Sequence, residues 1–348
     1  MAAACSNSII FNLKKPLASP SLSPIRTPEW SPGPSRLKSP CLLLRSNRTL
    51  NNFTPKSLSS DLSVAPDGPI SSRPNTLKSR LAHGETLYGI FLLGFSPTFA
   101  EIAGLAGYDF AVVDMEHGPG GISDALPCIR ALAASGTPAI LRLPESSADW
   151  TKKALDLGPE GIMFPMIESP KAAKKAVSYC RFPPDGVRGS AHTVVRASRY
   201  GIDDGYLENY KNELLIMCQV ETKEGVEKIE EIAKVEGVDC LQMGPLDLSA
   251  SLGYLWDPGN KKVREVLRAA EKGVLGTKKA YLCGFAMPHD PPEAQRSRGY
   301  HMVSGAVDLG LFRAAVVEDV RKFKSGKDAP SDDEKDTDKD KDEKYWSE

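Results

Sequence analysis

Between about residue 74 and residue 325 the chain alternates short apolar, β-rich runs with longer segments whose apolar residues recur at helical spacing. The runs are LYGIFLLG (87–94), FAVVDME (110–116), PAILRLP (138–144), GIMFPMI (161–167), LLIMCQVE (214–221), CLQMGPLDL (240–248), AYLCGFAM (280–287) and YHMVSGAVD (300–308). Helical patterns fill the gaps, as over 124–134 and 223–235. The longest gap, 181–213, carries RFPPDGVRGS and reads as an extended functional loop. Eight strand–helix units in succession predict an α/β fold, a single-domain (β/α)8 barrel. An open doubly wound sheet is the alternative, but no GxGxxG follows the first run, so nothing supports a dinucleotide crevice.

The two ends read differently. Residues 1–60 hold eight Lys or Arg, twelve Ser and a single acidic residue, Glu29. That is the composition of an organellar transit peptide, and its Ser and Pro content favours a plastid over a mitochondrion. The last residues, DAPSDDEKDTDKDKDEKYWSE, alternate acidic and basic side chains with almost no apolar content, so they are expected to stay solvated. Their Asp spacing lacks the central Gly and final Glu of a calcium-binding loop. The expected division is therefore a transit peptide and linker over 1–73, the barrel over 74–325 and a charged tail over 326–348.

The formal charge of the 348-residue chain is -1, with Lys and Arg interspersed among Asp and Glu, which leaves no broad basic field for nucleic acid or anionic membrane. No apolar run approaches the ~20 residues needed to span a bilayer. The seven cysteines, at 5, 41, 128, 180, 218, 240 and 283, include no CxxC pair, which fits a reducing compartment without structural zinc.

In a barrel of this kind the site is built at the carboxyl ends of the strands. Strand two ends in Asp114, Glu116 and His117, strand three reaches Arg142, strand five ends in Gln219 and Glu221, and strand six runs into Gly244-Pro245-Leu246-Asp247. Charged groups at the ends of apolar strands are costly to desolvate and are normally paired, metal-bound or functional. Glu221 and Asp247 fall at matching depth on neighbouring strands. Their carboxylates can converge on one ion, and oxygen ligation with open positions suits Mg2+ or Mn2+. Helix capping or pairing with a lysine is the competing use. A carboxylate bonded to the His117 imidazole would raise its basicity, as a general base requires, whereas a satisfied structural histidine is the bland alternative. Arg142 can fork onto a substrate oxygen or form a salt bridge to Asp114 or Asp156. Of the other histidines, only His192, in the long loop, is placed to approach a substrate.

The motifs VVDMEHGP (112–119), LRLP (141–144), ALDLG (154–158), FPMIES (164–169), RFPPDGVRGS (181–190), VVRASRY (194–200), QVETKEG (219–225) and GPLDLSASLGY (244–254) resemble, in the same order, those of the HpcH/HpaI aldolase family. The resemblance covers most of the span from about 85 to 320. It implies a metal-dependent class II pyruvate aldolase that cleaves a 4-hydroxy-2-oxo acid through a metal-stabilised enolate, without a Schiff-base lysine. Glu221 and Asp247 are then the ligands of Mg2+ or Mn2+, with Co2+ also accommodated, and Gln219 lines the pyruvate site. His117, oriented by Asp114, is implied as the base on the substrate hydroxyl. Arg142 steadies the substrate oxygen, Asp156 supports a catalytic group, and the backbone N–H groups of Leu246 and Asp247 receive the pyruvate carboxylate. The implied partners are a small 2-oxo acid and an aldehyde, in a homo-oligomer, a trimer or hexamer with exchanged terminal helices. Phe91 stands where many members place Trp, and KKAYLCGFAMPHDPPEAQRSRGYHM (278–302) departs from the family pattern, which leaves the aldehyde unassigned. A lyase acting on citryl- or malyl-CoA-type esters is the alternative within the superfamily. A silent plastid metabolite sensor or scaffold is the alternative outside enzymology.

Overall fold

The computed structural model describes residues 75–325, so the expectations for 1–73 and 326–348 lie outside the described residues. Eight parallel strands close in sequence order into a barrel, each pairing with its neighbours and the eighth with the first. They are β1 (Leu87–Leu92), β2 (Phe110–Asp114), β3 (Ala139–Arg142), β4 (Gly161–Phe164), β5 (Leu215–Val220), β6 (Cys240–Met243), β7 (Tyr281–Phe285) and β8 (Met302–Val307). Each expected apolar run contains one of them.

The helices are α1 (Leu77–Ala82), α2 (Pro97–Leu105), α3 (Ile122–Ala134), α4 (Ala148–Asp156), α5 (Pro170–Tyr179), α6 (Tyr206–Glu213), α7 (Lys223–Glu227), α8 (Ile229–Ala233), α9 (Pro245–Ser251), α10 (Lys261–Thr277), α11 (Pro292–Ser297) and α12 (Asp308–Ser325). Ser or Thr side chains cap the starts of α1, α2, α4, α5 and α7, satisfying backbone N–H groups that no helical turn can reach. The helical pattern over 223–235 is divided into α7 and α8. The Lys228 N–H bonds back to the Gly225 carbonyl at 3.2 Å in a tighter turn that ends the first piece.

Side chains alternate along each strand between the barrel interior and the helical shell. On β2, Phe110 and Val112 belong to the interior cluster while Ala111 and Val113 pack under the helices. The interior row of β3 begins with Ile140, and that of β5 with Leu215 and Met217. Leu77 and Leu81 of α1, buried in the same cluster, seal the amino end of the barrel. Two-residue steps from these apolar positions arrive at Asp114, Arg142, Gln219 and Glu221 at the other end. The alternation thus fills the floor with apolar groups and leaves polar ones at the mouth.

The long gap is placed differently from its expected role. It follows α5 and precedes β5, and connections from a helix to the next strand lie at the amino end, opposite the mouth. Arg196 Nη1 there bonds the Leu157 carbonyl at 2.7 Å, and Lys78 of α1 reaches the Leu214 carbonyl at 3.4 Å. The segment contains α6 and two 3-10 turns (His192–Val194 and Arg196–Gly201), and it carries His192 away from the mouth of its own barrel. Among the described residues, no helix is long and apolar enough to cross a membrane, and the five cysteines, 128, 180, 218, 240 and 283, are free and buried.

Candidate active site

A cavity of about 160 Å³ opens at the carboxyl ends of the strands. Its two sides differ. Asp114, His117, Arg142, Gln219, Gln242 and Asp247 line it from the β2, β3, β5 and β6 side, whereas Phe91, Leu93, Phe285 and Val307 line it from β1, β7 and β8.

Arg142 is the hub of the polar side. Register pairs it with Asp114 on the adjoining strand, and both side chains are buried. Its Nε donates to Asp114 Oδ1 at 2.8 Å and its Nη2 to Asp114 Oδ2 at 2.5 Å, a bidentate fork. Its Nη1 donates to Gln219 Oε1 at 3.3 Å and lies 2.9 Å from Glu116 Oε2. That last contact is close but not aligned, and Glu116 Oε2 has no hydrogen-bond partner although it is buried. The ring of Phe91 lies 5.0 Å from the guanidinium carbon. Burial acts to lower the Arg142 pKa, but the Asp114 bonds and the charges of Asp114, Glu116 and Glu221 outweigh it and raise it, so the group stays cationic. Of the two salt bridges open to Arg142 in the sequence, the one to Asp114 forms.

Glu221 follows β5 and is 2 % exposed. Its Oε1 accepts the Met166 N–H at 2.8 Å, and its Oε2 accepts from Gln219 Nε2. Met166 holds a left-handed backbone (φ 52°), a conformation costing a non-glycine residue about 1–2 kcal/mol, and so turns that N–H toward Glu221. Gly244 supplies the room on the β6 side, since a Cβ there would lie 2.6 Å from Glu221 Oε2. Burial, reinforced by the charges of Glu116 and Asp247, pushes the Glu221 carboxyl up to about 7 against the pull of its two hydrogen bonds. Glu116 is likewise raised by burial, opposed by Arg142 and reinforced by Asp114 and Asp247.

Asp247 lies exposed in the first turn of α9, one connection beyond the strand next to β5. Leu246 and Asp247 occupy that turn, where backbone N–H groups have no acceptor within the helix. Among the described residues, no group of three or more His, Cys, Asp and Glu side chains is placed to hold an ion. The residues that could hold a hard cation here are therefore two oxygen donors, Glu221 and Asp247, with other positions left to water or substrate. A deeply buried carboxylate with its pKa raised and an unbonded buried oxygen on neighbouring Glu116 fit such a cation, because both relieve their cost by gaining positive charge.

His117 sits in the turn after β2 with its imidazole exposed, Nε2 lying 4.0 Å from Glu116 Oε2. Asp114 orients it through the backbone rather than through the ring. Asp114 Oδ1 accepts the N–H groups of Glu116 at 3.0 Å and His117 at 3.4 Å while both its oxygens hold Arg142. Asp156 is not brought to this cluster within one chain. It ends α4 at the amino end of the barrel, 3.8 Å from Arg188, and burial raises its carboxyl against the pull of that arginine. The structure thus gathers Asp114, His117, Arg142, Gln219, Glu221, Leu246 and Asp247, and adds Glu116, Met166, Gln242 and Gly244. Glu116 was visible as a charge at a strand end; the Met166 strain and the Gly244 clearance leave no mark in composition or period.

The 2-keto-3-deoxy-L-rhamnonate aldolase of Escherichia coli (strain K12) is 34% identical over 257 residues, covering 74% of this chain and 96% of the relative. The crystal structure of an HpcH/HpaI aldolase/citrate lyase family protein from Burkholderia cenocepacia J2315 superposes with a TM-score of 0.67 at 35% identity, covering 71% of this chain and 98% of that one. That of the citrate synthase SbnG does so with a TM-score of 0.64 at 26% identity, covering 73% and 99%. The model of the HpcH/HpaI aldolase/citrate lyase family matches residues 87–315. A closed barrel with its polar cluster at the carboxyl end, matched over that span, makes this chain a member of the HpcH/HpaI aldolase/citrate lyase family.

Proposed function

We propose that the chain is a divalent-metal-dependent class II aldolase that reversibly cleaves a 4-hydroxy-2-oxo acid to pyruvate and an aldehyde. The observation that carries this reading is the buried carboxylate of Glu221 facing the Asp247 turn, beside an Arg142 fixed by Asp114. Glu221 and Asp247 would hold Mg2+ or Mn2+, and the ion would polarise the 2-oxo group and offset charge developing on its oxygen.

The chain's own groups do the rest. Arg142 has two nitrogens locked by Asp114 and turns Nη1 into the mouth, where it faces the oxygen that gains charge. His117 takes the proton from the C4 hydroxyl, the C3–C4 bond breaks, and its electron pair moves toward the 2-oxo oxygen. The aldehyde leaves, and a proton delivered to C3 completes pyruvate. The N–H groups of Leu246 and Asp247 receive the pyruvate carboxylate, and Gln219 spans Arg142 and Glu221 behind it. The substrate of the Escherichia coli relative belongs to the same 2-oxo acid class.

The reading includes a homo-oligomer, a trimer or hexamer. It is supported by α12, where Leu311, Phe312, Val317 and Phe323 are each more than half exposed, and exchange of this helix between copies would cover them. The composition of residues 1–60 supports residence in a plastid. The test of the activity is pyruvate release from 4-hydroxy-2-oxo acids with Mg2+ or Mn2+, after EDTA, and with Glu221→Ala. Release lost under EDTA and in the variant supports the aldolase. Absence of release in all arms, with cleavage of citryl- or malyl-CoA, replaces it with the ester lyase.

A further inference from the structure

The turn that carries His117 is held from outside by a segment that no motif flags. Asp308, the first residue of α12, is buried although the rest of that helix is largely exposed. Its carboxylate gathers three backbone donors: the N–H of Leu93 on Oδ1 at 2.9 Å, that of Gly94 on Oδ2 at 2.9 Å, and that of its own neighbour Leu309 on Oδ1 at 2.7 Å. Hydrogen bonds to a carboxylate are the strong kind, and here they tie the exit of β1 to the exit of β8.

The clamped residues lead directly into Phe95, whose backbone is left-handed at φ 49°, a rare state for an aromatic residue that persists only where its surroundings impose it. That state lays the ring against the next loop. A Cβ built on Gly118 would lie 2.5 Å from Phe95 Cε2 and 2.9 Å from the Leu93 carbonyl oxygen, and one built on Gly120 would lie 2.5 Å from the ring. Only glycine admits so close an approach, so the two loops are in backbone-level contact immediately after His117. From inside, the same turn is held by Asp114, whose carboxylate accepts the His117 N–H and whose carbonyl accepts the Gly118 N–H at 3.2 Å. The exposed imidazole meets its charged neighbour Glu116 only at 4.0 Å. Its aim is therefore set by where the backbone of the turn stands.

Resting on the aldolase reading, in which His117 is the base, we infer that Asp308 and Phe95 are positioning residues for His117. Asp308 fixes Leu93 and Gly94, these fix Phe95, and the Phe95 ring backs the Gly118–Gly120 turn. Neither residue touches the substrate in this scheme.

Two variants test it from different ends. Asp308→Asn keeps a good helix-capping side chain at the start of α12 but turns one of the two acceptors into a donor facing an N–H. Phe95→Gly relieves the left-handed backbone while deleting the ring. Both are assayed for cleavage of a 4-hydroxy-2-oxo acid and for decarboxylation of oxaloacetate, which moves an electron pair to the same 2-oxo oxygen without a hydroxyl proton to remove. Amide hydrogen exchange of residues 93–97 and 116–121 is followed in the full chain. In both variants kcat for cleavage is expected to fall between about tenfold and about 100-fold, the scale of a small misplacement of a catalytic group. KM and the decarboxylation rate should stay within about twofold, and exchange should speed up in both segments. Cleavage and decarboxylation falling in step, or faster exchange confined to 93–97, overturns the positioning role. If the wild type cleaves no such acid but exchange still spreads to 116–121, the aldolase reading falls while the mechanical link to the His117 turn stands.

Discussion

Replacing Glu221 by Gln should change the pH dependence of stability by an amount set by its burial. In the metal-free protein this carboxyl is raised to about 7 from an ordinary 4.5, first because it is 2 % exposed and then because Glu116 and Asp247 add like charge. A carboxyl whose pKa is higher folded than unfolded ionises more easily in the unfolded chain. Stability is therefore lost as pH rises from about 4.5 to about 7, and the full penalty persists above that. At about 1.4 kcal/mol per pH unit, the penalty at pH 8 is about 3 kcal/mol. The amide of Glu221→Gln carries no such charge and keeps an acceptor for the Met166 N–H.

Thermal unfolding in EDTA, compared between wild type and variant at pH 5 and pH 8, reads this group together with its coupling to Glu116 and Asp247. About 0.8 kcal/mol of the penalty is already present at pH 5, which leaves about 2.5 kcal/mol between the two pH values; at roughly 2–4 °C per kcal/mol for a domain of about 250 residues, the variant should gain about 5–10 °C on the wild type. Added Mg2+ or Mn2+ should then raise the wild-type midpoint more at pH 8 than at pH 5 and leave the variant little changed. A difference between the two proteins that does not vary with pH would refute the reasoning, since the burial of Glu221 would then carry no titration.

Asp114→Ala should cost about 3–5 kcal/mol in denaturant unfolding, because it leaves the buried Arg142 with only the unaligned Glu116 contact and Gln219. His117→Ala should lower aldol cleavage by about 10²- to 10⁴-fold while leaving the unfolding free energy within about 0.5 kcal/mol, because the imidazole is 57% exposed. Gly244→Ala places a Cβ 2.7 Å from that of Glu221 and should cost about 1–3 kcal/mol together with a weakened response to added cation, both read in the same thermal assay.

The strands were legible because most are buried on both faces, so runs such as FAVVD and LIMCQV are apolar at nearly every position. The polar cluster was legible for a related reason: a charge that closes an otherwise apolar strand has nowhere to point but the mouth. Asp114 and Arg142 even fall in the same register row. The long segment 181–213 and Asp156 do not reach the mouth of their own barrel, and the alternation of elements already assigned them to the amino end, one lying between a helix and the next strand and the other closing a helix. The short helix α6 escaped because it buries only Tyr210 and has little apolar period to detect. Asp308 and Phe95 escaped because their partners are backbone groups and glycines, which carry no side-chain pattern.

The charges gathered at the mouth bear on why a cation belongs in the proposed reaction. Asp114 and Arg142 neutralise one another through two hydrogen bonds, which leaves Glu116, Glu221 and Asp247 as surplus negative groups that raise one another's cost. Lacking a counter-charge, the protein limits that cost by raising Glu116 and holding Glu221 near 7, where protons are partly retained. A 2-oxo acid would add a further negative group beside them, with one committed guanidinium to receive it. Its affinity would then depend on positive charge that the side chains do not supply, and a divalent ion on Glu221 and Asp247, as proposed, would answer both deficits at once while displacing the protons. On this reasoning pyruvate binding and cation binding are coupled through the same carboxylates, and proton release on adding Mg2+ should disappear in Glu221→Gln.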